Sequence, residues 1–112
     1  MITDEKRAFK RVRRKYEVRH KSCDVSGHGG TSMSENISLG GVYFVSLEKF
    51  EIGQLLECEI TVPGSHEAGK WTSRVVRCEA LSGNLTETFG VAVEFVESFG
   101  DSEKKLKKAL SA

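Results

Sequence analysis

Gln54-Leu55-Leu56-Glu57-Cys58-Glu59-Ile60-Thr61-Val62 is the stretch that decides the fold class. Leu56, Cys58, Ile60 and Val62 fall at every second position, with Glu57, Glu59 and Thr61 between them. A strand turns successive side chains to opposite faces, so this pattern predicts a half-buried antiparallel strand, apolar inside and charged outside. Pro63-Gly64 ends it, because that pair cannot continue a ladder and favours a turn. After a polar loop to Gly69, Lys70 to Leu81 reads as the return strand, and Ser82-Gly83-Asn84 as another turn. Thr88 to Val96 alternates again, with Phe89, Val91, Val93 and Phe95 on one face.

Upstream, Val42-Tyr43-Phe44-Val45 follows a double glycine and predicts a strand with burial on much of both faces. Tyr16 to Cys23 is a further strand. Asp24 to Glu35, rich in Gly, Ser and His and without apolar periodicity, reads as a loop. Five short strands separated by turn signals predict an all-β barrel or sandwich, and a closed barrel leaves no exposed edges. The tail differs. Asp101 or Ser102 can cap a helix, Glu103 suits its positive end, and Lys104, Lys105, Lys107 and Lys108 suit the negative one. Leu106 and Leu110 share a face, so a helix over about residues 101–111 is expected to dock on the barrel.

With 112 residues, 29% charged and 38% hydrophobic, the chain has the composition of one soluble domain. It carries no apolar run of membrane-spanning length and no secretory h-region, which predicts a cytoplasmic protein without membrane insertion. Cys23, Cys58 and Cys78 are odd in number and lack ligand spacing, as expected of half-buried thiols in a reducing compartment. His20, His28 and His66 read as scattered surface histidines, so neither a metal site nor catalytic residues are expected. The net charge of +1 conceals an asymmetry. Residues 1–21 hold nine Lys/Arg against three acids, and the remainder holds eight against thirteen. A basic lead-in over residues 1–13 on an acidic body implies an anionic partner engaged at one place. Nucleic acid more often meets a basic body too.

Two motifs bear on that partner. In Arg7-Ala8-Phe9-Lys10-Arg11 two guanidinium groups stand four residues apart. Such a fork bonds phosphate oxygens or the O6 and N7 of guanine, and stacks on a base plane. In Asn36-Ile37-Ser38-Leu39-Gly40-Gly41 an amide and a hydroxyl precede two glycines that let backbone come close to a ligand. Alone, the second motif also describes an ordinary hairpin turn, and the first arises easily in a basic leader.

Together, Arg-x-x-x-Arg, then a strand, then Asn-x-Ser-x-x-Gly before another strand resembles the PilZ domain, a bacterial receptor for cyclic di-GMP. The late segment Gly90-Val91-Ala92-Val93-Glu94-Phe95 and the closing helix are similar too, so the resemblance covers about residues 6–110. It implies a six-stranded antiparallel barrel over residues 14–112 with a C-terminal helix, and an arm over residues 1–13 that wraps one end. It implies Arg7 and Arg11 as the ligand clamp, with Asn36, Ser38, Gly40 and Gly41 lining the guanine site. It also implies a non-enzymatic receptor that changes arm conformation and signals to a protein partner, with cyclic di-GMP as ligand and no cofactor. The segment before Asn36 is long and glycine-rich, and Asn36 stands where the family also allows Asp. An adaptor of the same fold that binds no nucleotide is the alternative.

Overall fold

The computed structural model describes residues 12–24, 29–65, 67–81 and 87–111. They form six strands and one helix: β1 (Glu17–Ser22), β2 (Gly29–Ser38), β3 (Gly41–Ser46), β4 (Leu55–Ile60), β5 (Gly69–Leu81), β6 (Thr88–Phe99) and α1 (Ser102–Ser111). The strands close in the order β1-β2-β3-β6-β5-β4, and every neighbouring pair is antiparallel. The alternation that marked β4 is realised: Leu56, Cys58, Ile60 and Val62 are buried. They meet Val18, Ile37, Phe44, Trp71, Val75 and Val91 in one core. Glu57 and Glu59 face outward and pair with Lys70 of β5 at 3.2 and 3.8 Å, and Arg19 of β1 reaches Glu59 at 3.1 Å.

The segment Asp24–Glu35, expected to be a loop, instead supplies most of β2. Its inward positions are serines, which hides the strand period. Ser34 is fully buried, and a bulge between Ser34 and Asn36 then shifts the register so that Ile37 points into the core. Ser34 is satisfied without leaving the sheet. Its Oγ donates to the Arg14 carbonyl and accepts from the Tyr16 N–H at 2.8 Å, and its own N–H donates to the Tyr16 carbonyl at 2.9 Å. A buried hydroxyl so paired costs the fold little.

His20 also departs from expectation. It is 4% exposed, stacked on Phe44 at 4.5 Å and set edge-on to Phe50 at 5.7 Å, with Nε2 3.0 Å from Ser32 Oγ. The alternation that runs from Tyr16 into β1 (Val18, His20) carries it inward. His28 and His66 lie outside the described residues.

The helix is fastened at its start. Ser102 Oγ accepts the Lys70 N–H at 2.8 Å and donates to the Phe99 carbonyl at 2.5 Å. The Asp101 carbonyl takes the Lys105 N–H at 2.9 Å, and the Asp101 carboxylate pairs with Lys105 at 3.4 Å. Leu106 is fully buried, and Ala109 and Leu110 pack beside it. The helix thereby covers β5 and β6 around Trp71, whose ring stacks on Phe95 at 4.8 Å.

Burial pushes the Cys58 thiol from its ordinary 9.0 up to about 11, opposed weakly by the Ser73 hydroxyl. The unfolded chain therefore loses this proton first. The Cys58 contribution is complete below pH 9 and falls away as pH rises towards 11. Urea midpoints measured across that window should drop more steeply for the natural chain than for Cys58→Ala. Equal slopes would mean that Cys58 does not carry the effect.

Candidate functional site

The second motif sits where β2 hands over to β3. Ile37 turns into the core, which sends Asn36 and Ser38 to the outer face. Leu39 and Gly40 make the turn. Ser38 Oγ accepts the Gly40 N–H at 3.0 Å, and the Gly40 carbonyl accepts the Phe95 N–H at 2.8 Å, so the turn is held from both sides. The hydroxyl of Ser38 thus shapes the turn, and the residue itself is only 8% exposed. Gly41 pairs with Ser38 and with Glu94 of β6, and a Cβ there would run into the Val93 carbonyl oxygen. Glycine is required by close packing of backbone on backbone.

Register extends this turn into a wall. One row crosses the outer face as Ser38, Gly41, Glu94 and Arg74. Beside it, Asn36 stands opposite Tyr43, which stands opposite Ala92. The Tyr43 ring lies over Gly90, where a Cβ would strike its hydroxyl. The wall therefore offers an amide, a phenol ring and a stretch of nearly bare backbone. Its carboxylate, Glu94, is neutralised by Arg74 at 3.2 Å.

The start of the described chain is stitched to this wall. Val12 and Ile37 exchange both backbone hydrogen bonds, at 2.8 and 2.9 Å. Four residues on, Tyr16 and Ser34 repeat the attachment. Arg14 reaches the Tyr16 hydroxyl at 3.4 Å and the Ala109 carbonyl near the end of α1 at 3.5 Å, which ties the lead-in to the helix. Lys15 pairs with Glu35 at 3.1 Å. Arg7 and Arg11 lie outside the described residues. The chain reaches Arg11 one bond before Val12.

Arg13, Arg14 and Lys15 are legible in the sequence as positive charge beside the arginine pair, whereas Ser34 and Tyr43 carry no such signal. Ser34 lies in a loop-like stretch, and the contacts of Tyr43 and of Arg14 depend on register and helix docking. Ser34→Ala should strip the Tyr16 N–H and the Arg14 carbonyl of their buried partner, costing about 1–3 kcal/mol. Chemical denaturation reads the loss, and faster amide exchange at Val12 and Tyr16 should accompany it. Unchanged exchange there would show that Ser34 does not hold the lead-in.

The opposite wall has a concavity lined by Arg19, Lys21, Gly30, Thr31, Glu57 and Glu59. Its cations face carboxylates directly: Arg19 bonds Glu59, and Lys21 stands opposite Glu57. That hollow offers an anion little uncompensated charge. Next to the motif turn, a second hollow is lined by Leu39, Gly40, Trp71, Phe95, Glu97 and Glu103.

A family model for the PilZ domain matches residues 5–112. No curated protein matches the chain. Among solved structures, the inhibitor of motility MotI (DgrA) of Bacillus subtilis superposes with TM-score 0.72 at 19% identity, covering 94% of this chain and 49% of that one. The PilZ domain of Escherichia coli YcgR with c-di-GMP gives TM-score 0.66 at 15% identity, covering 94% and 89%. YcgR of Escherichia coli in complex with c-di-GMP gives 0.64 at 18% identity, covering 94% and 44%. This chain thus spans about half the length of the MotI chain and less than half of the YcgR chain in that complex.

Proposed function

The chain belongs to the PilZ domain family, and on that premise we propose that it is a receptor for cyclic di-GMP and has no catalytic role. In this reading residues 1–13 act as an arm on a barrel of residues 14–112. Arg7 and Arg11 clamp the ligand's phosphates and guanine edges, while Asn36, Ser38, Gly40 and Gly41 form the seat. The observation that carries it is the Val12–Ile37 bridge, which anchors the chain beside Asn36 and Ser38 one residue after Arg11. A structural neighbour, the YcgR PilZ domain, was solved with c-di-GMP. A guanidinium there would meet a face whose one carboxylate is already paired by Arg74.

Binding would order the arm over the wall, and a protein partner would read the changed surface. The Arg14 contacts to Tyr16 and Ala109 offer a path by which α1 feels the arm. We place this receptor in the cytoplasm. No helix among the described residues is long and apolar enough to cross a membrane. Calorimetric titration with cyclic di-GMP should give saturable binding that weakens as salt rises. A null titration at high protein concentration would favour the nucleotide-free adaptor.

A further inference from the structure

Among the described residues, closure of the barrel leaves the far end of β5 with an open edge. β4 pairs with β5 only from Gly69 to Arg74, and Gly53 and Gln54 extend the contact to Val75. Beyond the bulge between Val75 and Arg77, β5 continues to Leu81 paired solely to β6. Among the described residues, nothing pairs with the other edge of Arg77–Leu81. At about 3.3 Å per residue this is roughly 17 Å of strand with unpaired backbone groups. It is not a loose hairpin, because β6 is itself held along the same stretch by β3, with Gly90 opposite Val45 and Phe89 opposite Ser46.

An open edge of this kind templates another strand. Its side chains say which one. Antiparallel pairing with a second copy, centred on Cys78, sets Arg77 opposite Glu79 of the other copy and Glu79 opposite Arg77. Val76 then meets Ala80. Both charged residues are exposed, and within one chain Arg77 and Glu79 approach only to 3.8 Å. Val76, 46% exposed, has no apolar cover of its own. An edge bearing like charges would repel its own copy, whereas this one is complementary to itself under a two-fold axis. Shifting the axis by one residue to Glu79 would set carboxylate against carboxylate.

We propose that the chain self-associates into a two-fold dimer by antiparallel pairing of the β5 edge Arg77–Leu81 about Cys78. Cys58 is buried, Cys78 half-buried and Cys23 exposed, so peptide mapping must separate links through Cys23 from the Cys78 link that reports the axis. The full chain at about 100 µM would be treated with a short bismaleimide and the linked peptides mapped by mass spectrometry. A Cys78–Cys78 link can arise only between copies. It is expected in the natural chain, reduced at least tenfold in Glu79→Arg, and restored when Arg77→Glu is added to Glu79→Arg. Sedimentation should show the same loss and recovery of dimer, with circular dichroism confirming that each variant folds. A natural chain that sediments as monomer without the Cys78–Cys78 link would overturn the proposal. So would full linking in Glu79→Arg, or no recovery in the double swap.

Discussion

Arg11→Ala should weaken cyclic di-GMP binding roughly ten- to one-hundred-fold, and the double change with Arg7→Ala should leave no saturable binding. Each guanidinium in the proposed clamp contributes charge-assisted hydrogen bonds, worth about 1.5–3 kcal/mol, and each 1.4 kcal/mol is about tenfold in affinity. The control is Arg19→Ala. Arg19 carries the same charge but lies on the opposite wall, bonded to Glu59 at 3.1 Å. Its removal changes the net charge equally and should leave affinity within about twofold, since exposed charges more than a Debye length apart are screened. If Arg19→Ala weakened binding as much as Arg11→Ala did, the effect would be diffuse electrostatics and not a clamp.

Phe44→Ala should be the most damaging single core change. Phe44 is fully buried on β3, stacked on His20 at 4.5 Å, at the junction of strands paired to both β2 and β6. Truncation of a buried Phe costs about 3–5 kcal/mol through lost burial and an unfilled cavity. Domains of this kind have only about 5–15 kcal/mol in total. The chain's one tryptophan, Trp71, is buried and supplies the probe. Its emission should shift red at a much lower urea concentration in the variant. A loss below 1 kcal/mol would mean that the His20–Phe44–Phe50 cluster is not the centre of the fold.

The strands that could be read from the sequence share one property: their inner faces are apolar. Leu56, Cys58, Ile60 and Val62 in and after β4, and Phe89, Val91 and Val93 in β6, announce themselves by period two. β2 does not, because Ser32 and Ser34 take inner positions and a bulge resets the count before Ile37. Such a strand is recognisable only through its partners, namely the backbone of Arg14 and Tyr16 and the ring of His20. His20 was misplaced for the same reason, since a polar residue on the inner face of a strand looks like surface until its neighbours are known. The seat Asn36–Gly41 was legible as a motif, but the wall around it was not. The rows that bring Tyr43, Glu94 and Arg74 beside the motif depend on strand order, and β3 pairs with β6, which is distant in the chain (Gly41 with Glu94, Tyr43 with Ala92). The arginine pair was legible as chemistry, and the structure adds the Val12 anchor beside it.

The central claim is that the ligand sits on the outer face beside the β2–β3 turn, under the arm. Amide chemical shifts followed residue by residue during a cyclic di-GMP titration test it most directly. The account predicts saturable shifts at Val12, Asn36, Ser38, Gly40, Gly41 and Tyr43, with Arg19, Lys21, Glu57 and Glu59 unmoved. Shifts concentrated on the latter wall, with the Asn36–Gly41 turn stationary at saturation, would contradict it.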